Sequence, residues 1–169
     1  APRGSIMEYI VKDDFLDKEY FKWLQDEVLD GSITWDYIDG VAIDSTEPDF
    51  YFIHSLYNAH TFQPDSKYYN SHFGKLVGDL GIRALKRMRL IMYTNCGKQI
   101  IHKRHRDLDY DHQAALIYLN TNDGFTELDD GTRIDSIENR LLLFNGNELH
   151  SSSTCTDQKR RVLISLNYF

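Results

Sequence analysis

From Arg83 to Phe169 the sequence breaks into short apolar or alternating runs, each closed by turn-forming residues. The runs cover 84–94, 100–107, 113–120, 125–128, 132–134, 140–144, 149–154 and 161–169. Asn122-Asp123-Gly124 and Asp129-Asp130-Gly131 lie between them and favour tight reversals, because Asn, Asp and Gly tolerate the backbone angles of turns. A series of about eight short strands predicts a mainly β fold whose core is a double-sheet jelly roll, or double-stranded β-helix. The half before Arg83 predicts helices packed outside it. Asp14 or Asp17 can cap a helix running to Leu29, with Gly31 just past its end. Tyr68, Tyr69, His72, Phe73, Leu76, Val77 and Leu80 recur at helical spacing and predict a second helix closed by Gly81. Further strands are expected at 7–11, 33–38, 41–43 and 50–57. Residues 1–169 read as one domain, in which 7–82 support a core formed by 83–169. Residues 1–6, ahead of Met7, read as an expression remnant rather than a targeting segment.

Composition narrows the setting. A hydrophobic share of 41% and a charged share of 27% fit a soluble globular chain. No apolar run approaches the roughly 18 residues of a membrane span. Cys96 and Cys155 are too few for a disulfide framework, so a reducing cytoplasm is expected. A net charge of −7 argues against a sequence-independent grip on nucleic acid. One basic cluster, Arg83, Lys86, Arg87 and Arg89, alternates with Ala84, Leu85, Met88 and Leu90, and reads as a strand with a solvated, charged outer face.

The chemistry-bearing stretch is His105-Arg106-Asp107. In an extended strand, side chains two residues apart share a face, so an imidazole and a carboxylate can converge on one ion. His150, after the run Leu141–Phe144 and the turn Asn145-Gly146-Asn147, is the best-placed third ligand. Two histidines and one carboxylate with open positions form the facial triad of non-haem Fe(II) oxygenases. The triplet alone occurs often by chance, and its bland reading is a solvated surface pair. His102, Asp109, Asp111 and His112 are rival ligands. In a regular strand His102 points away from His105, and Asp109 lies past the strand end. Arg161 opens the last strand on the face shared with Leu163, Ser165 and Asn167, opposite Val162, Ile164, Leu166 and Tyr168. A buried guanidinium is costly without an anion, and a ligand carboxylate held bidentately would supply one. The bland alternative is an ion pair with an acidic side chain near the strand end.

Taken in order, these motifs carry a resemblance. From Arg89 to Phe169 the chain resembles the Fe(II)- and 2-oxoglutarate-dependent oxygenases, and among them the small prolyl-4-hydroxylase-like branch. Tyr93 and Gly97 match that family's Tyr-x-x-x-Gly before its His-x-Asp. Ile117-Tyr118-Leu119-Asn120 matches a strand ending in Tyr-Leu-Asn, and Gly124-Phe125-Thr126 a Gly-x-Thr-like segment. Asn139 to Phe144 matches the Arg-Leu-Leu-Phe run before the distal histidine, and Arg161 to Tyr168-Phe169 the closing strand. The interval from Gly97 to His105 is longer than the family's usual one and calls for a bulge or extra loop residue.

The resemblance implies Fe(II) held by His105, Asp107 and His150. It implies the remote carboxylate of 2-oxoglutarate held by Arg161 with help from the Tyr118 phenol, and Tyr93 lining that pocket. Arg160 is the competing anchor, set aside by strand parity. The implied reaction consumes O2, decarboxylates 2-oxoglutarate to succinate and CO2, and hydroxylates an unactivated C–H bond, with ascorbate left open as an accessory reductant. The first substrate expectation is a prolyl residue of a peptide or protein. A free amino acid or other small molecule stays open, and nucleic-acid base demethylation is disfavoured by the acidic chain. A cupin-like, non-catalytic metal binder is the rival of another class, and it has no need of a carboxylate clamp such as Tyr118 and Arg161. Compact size and Asp-Gly turns resemble phage or bacterial members, which places the chain in a bacterial or host cytoplasm.

Overall fold

A computed structural model of the chain describes residues 8–41, 49–61 and 64–169. Helix α1 (Lys18–Leu29) starts where the Asp17 carboxylate accepts from the Glu19 and Tyr20 N–H groups, satisfying donors that have no partner in the first turn. It buries Phe21, Leu24 and Val28, and Gly31 follows with φ +93°, the left-handed conformation that glycine adopts freely. The second helical region opens as a π-helical turn, Tyr69–Phe73, and continues as α2 (Gly74–Asp79). The Tyr20 hydroxyl donates to the His72 carbonyl at 2.6 Å, tying that turn to α1.

Among the described residues ten strands run in chain order: β1 (Tyr9–Lys12), β2 (Asp36–Asp39), β3 (Phe50–Asn58), β4 (Leu85–Thr94), β5 (Gln113–Tyr118), β6 (Phe125–Leu128), β7 (Arg133–Asp135), β8 (Leu141–Asn145), β9 (His150–Ser152) and β10 (Arg160–Tyr168). They form a large antiparallel sheet in the order β1-β8-β5-β10-β4-β3-β2 and a small one in the order β7-β6-β9. Both faces of the large sheet carry buried apolar residues. One face packs Leu90, Ile117, Ile164 and Leu166 against Leu24, Val28, Phe73 and Leu76 of the helices. The other packs Tyr93, Tyr118 and Leu163 against Leu128 and Ile134 of the small sheet.

Strand parity on β10 runs as its sequence predicts. Val162, Ile164 and Leu166 face the helices, while Arg161 and Leu163 face the space between the sheets, with Ser165 and Asn167 continuing that row. Its neighbour β4 is in register, pairing Arg161 with Tyr93, Leu163 with Ile91, Ser165 with Arg89 and Asn167 with Arg87. Directly opposed residues share a face. Arg87 and Arg89 therefore point between the sheets, which corrects the expectation of a solvated outer face for the whole basic cluster.

A second correction concerns 100–107, expected as a strand. It runs beside β9 with only two isolated bridges, Ile101 to Ser153 and His105 to His150. Its amides find scattered acceptors, with His102 N–H on Ser152 O and Asp107 N–H on Gly146 O, so no ladder forms. The strand expected at 33–38 begins only at Asp36. Met7 and most of the strand expected at 41–43 lie outside the described residues. Among the described residues no helix is long and apolar enough to cross a membrane.

Candidate metal centre and the cavity behind it

His105 and His150 face each other through a pair of backbone hydrogen bonds, His105 N–H to His150 O at 2.9 Å and the reverse at 3.0 Å. This narrow pair brings the imidazoles to a centroid separation of 4.5 Å. Asp107 follows, anchored by its N–H to Gly146 O at 2.9 Å in the turn that precedes β9. Its Oδ1 lies 3.6 Å from His105 Nε2 and 3.4 Å from His150 Nε2. Two donors about 2.1 Å from one ion, at right angles, stand about 3 Å apart, so this trio fits a first-row divalent cation with slight closure. His150 Nδ1 lies 2.9 Å from Glu148 O and His105 Nδ1 3.4 Å from Lys103 O, so in the tautomer with the proton on Nδ1 each Nε2 would be turned to an ion beside Asp107.

Asp107 is held ionised. Burial pushes its carboxyl up, but the two histidines and the Arg87 guanidinium outweigh this and hold it well below the usual carboxylate range. Its second oxygen accepts from Asn167 Nδ2 at 2.8 Å, and Asn167 Oδ1 accepts from Arg87 Nε at 3.1 Å. The same amide lies 3.0 Å from His112 Nε2, whose Nδ1 is 2.8 Å from Tyr110 O. Gly146 makes room for that ring, since a β-carbon there would lie 2.1 Å from His112 Nε2.

The rival ligands fall elsewhere. His112 supports Asn167, Asp109 is exposed, and Asp111 accepts from the Asn145 and Asn147 amides at 3.0 Å each. His102 is buried, stacked on Tyr93 at 5.0 Å and 3.0 Å from Ser152 Oγ, and burial pulls it down to about 4.

The trio opens into a cavity walled by Tyr51, Arg89, Ile91, Tyr93, Leu116, Thr126, Leu163 and Ser165. Tyr93 lines this cavity. Arg161 and Tyr118 stand behind Thr126, both fully buried and both bonded to its hydroxyl, at 3.1 Å from Arg161 Nη2 and 2.8 Å from the Tyr118 phenol. Arg161 also donates to Ser136 Oγ at 2.7 Å and Ser153 O at 3.3 Å, and its guanidinium lies over the rings of Tyr93 and Tyr118. All of these partners are neutral. No carboxylate among the described residues forms an ion pair with it, and burial lowers its pKa. Arg160 turns the other way and donates to the Leu29 carbonyl. A fully buried cation with only neutral partners is the chemistry of a site built for an incoming anion.

Asn167, Ser136 and Arg89 were not singled out by sequence reasoning as site residues. The one available signal was strand parity. Counting back from Tyr93 in steps of two gives Ile91, Arg89 and Arg87, and counting on from Arg161 reaches Asn167.

No protein-family model matches the sequence, and no curated protein matches it by sequence. Solved structures do match. A Pseudomonas putida prolyl-4-hydroxylase superimposes with a TM-score of 0.61 at 13% identity, over 96% of this chain and 92% of that one. A 2OG-Fe(II) oxygenase family oxidoreductase from Burkholderia pseudomallei gives 0.68 at 10% identity, over 95% and 84%. A Trichoplax adhaerens prolyl hydroxylase, solved with a hypoxia inducible factor peptide fragment, gives 0.62 at 19% identity, over 95% and 83%. At these identities the likeness is one of fold.

Proposed function

We propose that this chain, which shares its fold with prolyl-4-hydroxylases and a 2OG-Fe(II) oxygenase, is itself an Fe(II)- and 2-oxoglutarate-dependent dioxygenase built on a double-stranded β-helix. The observation that carries this reading is the pairing of a His-Asp-His cluster with a buried guanidinium, free of any carboxylate among the described residues, behind one cavity. A plain metal-binding module has use for the first and none for the second. Bound Fe(II) and 2-oxoglutarate would supply the oxidative chemistry, which yields succinate and CO2 and places oxygen on a C–H bond.

The protein's part is positioning and shielding. His105 and His150 would present Nε2 lone pairs to the ion, with their Nδ1 atoms turned to backbone carbonyls. Asp107 supplies the anionic donor, and Asn167 fixes its second oxygen. Arg161 would take the remote carboxylate of the keto acid, with the Thr126 and Tyr118 hydroxyls giving up their mutual bond to join it. Ile91, Leu116 and Leu163 keep the intervening wall dry.

A prolyl residue of a peptide or protein is the first substrate candidate, supported by the prolyl hydroxylases among the matching structures. A free amino acid or other small molecule would use the same machinery. The test is succinate release from 2-oxoglutarate. It is expected to require added Fe(II) and to vanish in His105→Ala and Asp107→Ala, and undiminished turnover in either variant rejects the reading.

A further inference from the structure

The cavity holds a second guanidinium that neither the metal nor the keto acid accounts for. Arg89 sits on β4 opposite Ser165, and its side chain lines the cavity together with His105, Asp107 and His150. Its Nε is buried without a hydrogen-bond partner, and Nη1 reaches the Tyr51 hydroxyl only at 3.4 Å. Among the described residues it forms no ion pair. Arg87, two residues away on the same face, is already engaged by Asn167 and stands 3.9 Å from Asp107. The charges of a ferrous ion, the Asp107 carboxylate, a keto diacid and Arg161 cancel one another. Arg87 and Arg89 are positive charge beyond that set, and of the two only Arg89 lines the cavity.

We propose that Arg89 receives a carboxylate of the substrate to be oxidised, so that this substrate is a small free acid rather than an internal residue of a neutral peptide. This rests on the oxygenase reading above and, within it, selects the free acid over the peptidyl prolyl residue. Arg89 is partly exposed as a residue, but its Nε is buried, so a carboxylate that reaches Nε enters the cavity with the C–H bond it presents. The oxidised carbon and the carboxylate then belong to one compact fragment. A peptidyl residue would bring amides instead and offer the buried Nε no anionic partner, which costs most where water is excluded. A site built around a hydrogen-bonded group rejects analogues lacking it by large factors, because its own buried donors are then left unpaired.

The experiment compares free L-amino acids, L-proline included, with their amides and N-acetyl methylamides as stimulators of succinate release by the Fe(II)-loaded wild-type protein. At least one free acid is expected to stimulate release, with a kcat/KM at least about 100-fold above that of its amide. Arg89→Met is expected to raise the KM for that acid at least about 50-fold and to erase the preference for acid over amide, and Arg89→Lys to restore part of both. The assignment is overturned if amides or blocked prolyl compounds work as well as acids, or if no acid stimulates. An acid-to-amide ratio unchanged in Arg89→Met overturns it too, as does preference for an acidic side chain within a longer peptide. Calorimetric binding of 2-oxoglutarate to the Mn(II)-loaded wild type separates the two layers. If that binding is absent the oxygenase reading itself fails, whereas binding without acid preference removes only the role of Arg89.

Discussion

The backbone of Gly124 lies directly against the stem of Arg161: a β-carbon at position 124 would come within 2.5 Å of Arg161 Cδ and 2.8 Å of Asn122 Oδ1. The glycine leaves the channel through which the guanidinium reaches Ser136 and Thr126. Gly124→Ala is therefore expected to displace Arg161 and raise the KM for 2-oxoglutarate at least about tenfold, an effect of about 1.4 kcal/mol or more. Steady-state kinetics with varied 2-oxoglutarate check this, and an unchanged KM would show that Arg161 does not serve the cosubstrate.

The adjacent arginines have separate tasks. Arg160 donates to the carbonyl of Leu29 at the end of α1, whose last turn has no basic residue of its own. Arg160→Ala is expected to cost about 1 kcal/mol and lower the melting temperature by about 2–4 °C. Arg161→Ala is expected to weaken 2-oxoglutarate binding at least about 100-fold, read calorimetrically on Mn(II)-loaded protein. The opposite assignment of the two phenotypes would mean that β10 has slipped by one residue.

Asn167 binds the metal-side carboxylate on behalf of Arg87 and His112. Asn167→Ala is expected to weaken Mn(II) binding about 10- to 100-fold, measured by the loss of the free-ion paramagnetic signal on titration. Gly146→Ala, which pushes on the His112 ring, is expected to act in the same direction. Equal Mn(II) affinity in all three proteins would remove Asn167 from the metal's support.

His102 predicts a pH dependence of stability. Burial holds it at about 4, below its ordinary 6.5, so the unfolded chain binds the proton more readily. Its neutral form is fully accommodated above pH 6.5. Stability should fall as pH drops from 6.5 towards 4, by up to the order of 3 kcal/mol from this residue. His102→Gln keeps a partner for Ser152 and is expected to flatten that part of the urea-midpoint profile. A slope identical to wild type would place the acid sensitivity elsewhere.

Much of the architecture was legible in the sequence because it rests on local rules. Asp17 and Gly31 bracket α1 as capping chemistry dictates, and alternation along β10 separated the helix-facing residues from the cavity-facing ones. The segment 100–107 departs from a strand because its amides bond to β9 only at His102 and His105, and then to the turn at Gly146 through Asp107, which composition alone does not reveal. Even so, His105 and Asp107 meet His150, through one bridge rather than a continuous ladder. Arg87 and Arg89 were read as solvated because a run of charges usually is, although the period of two from Tyr93 already turned them inward. Ser136, Thr126 and Asn167 are ordinary polar residues in isolation. They acquire roles only when positions 25 to 60 residues apart converge on Arg161 and Asp107, and nothing in one sequence marks that convergence.

β10, which supplies Arg161, Ser165 and Asn167, comes after the nine other strands in the chain yet lies in the middle of the large sheet, between β5 and β4. As a ribosome releases the chain, β4 and β5 emerge with one edge each still bare and no means of closing on one another. The buried guanidinium of Arg161 and the amide that braces Asp107 thus arrive on the very segment that seals the sheet. Completion of this site and completion of folding should coincide in time, and a nascent chain stalled before Arg160 would expose two apolar edges open to intermolecular pairing.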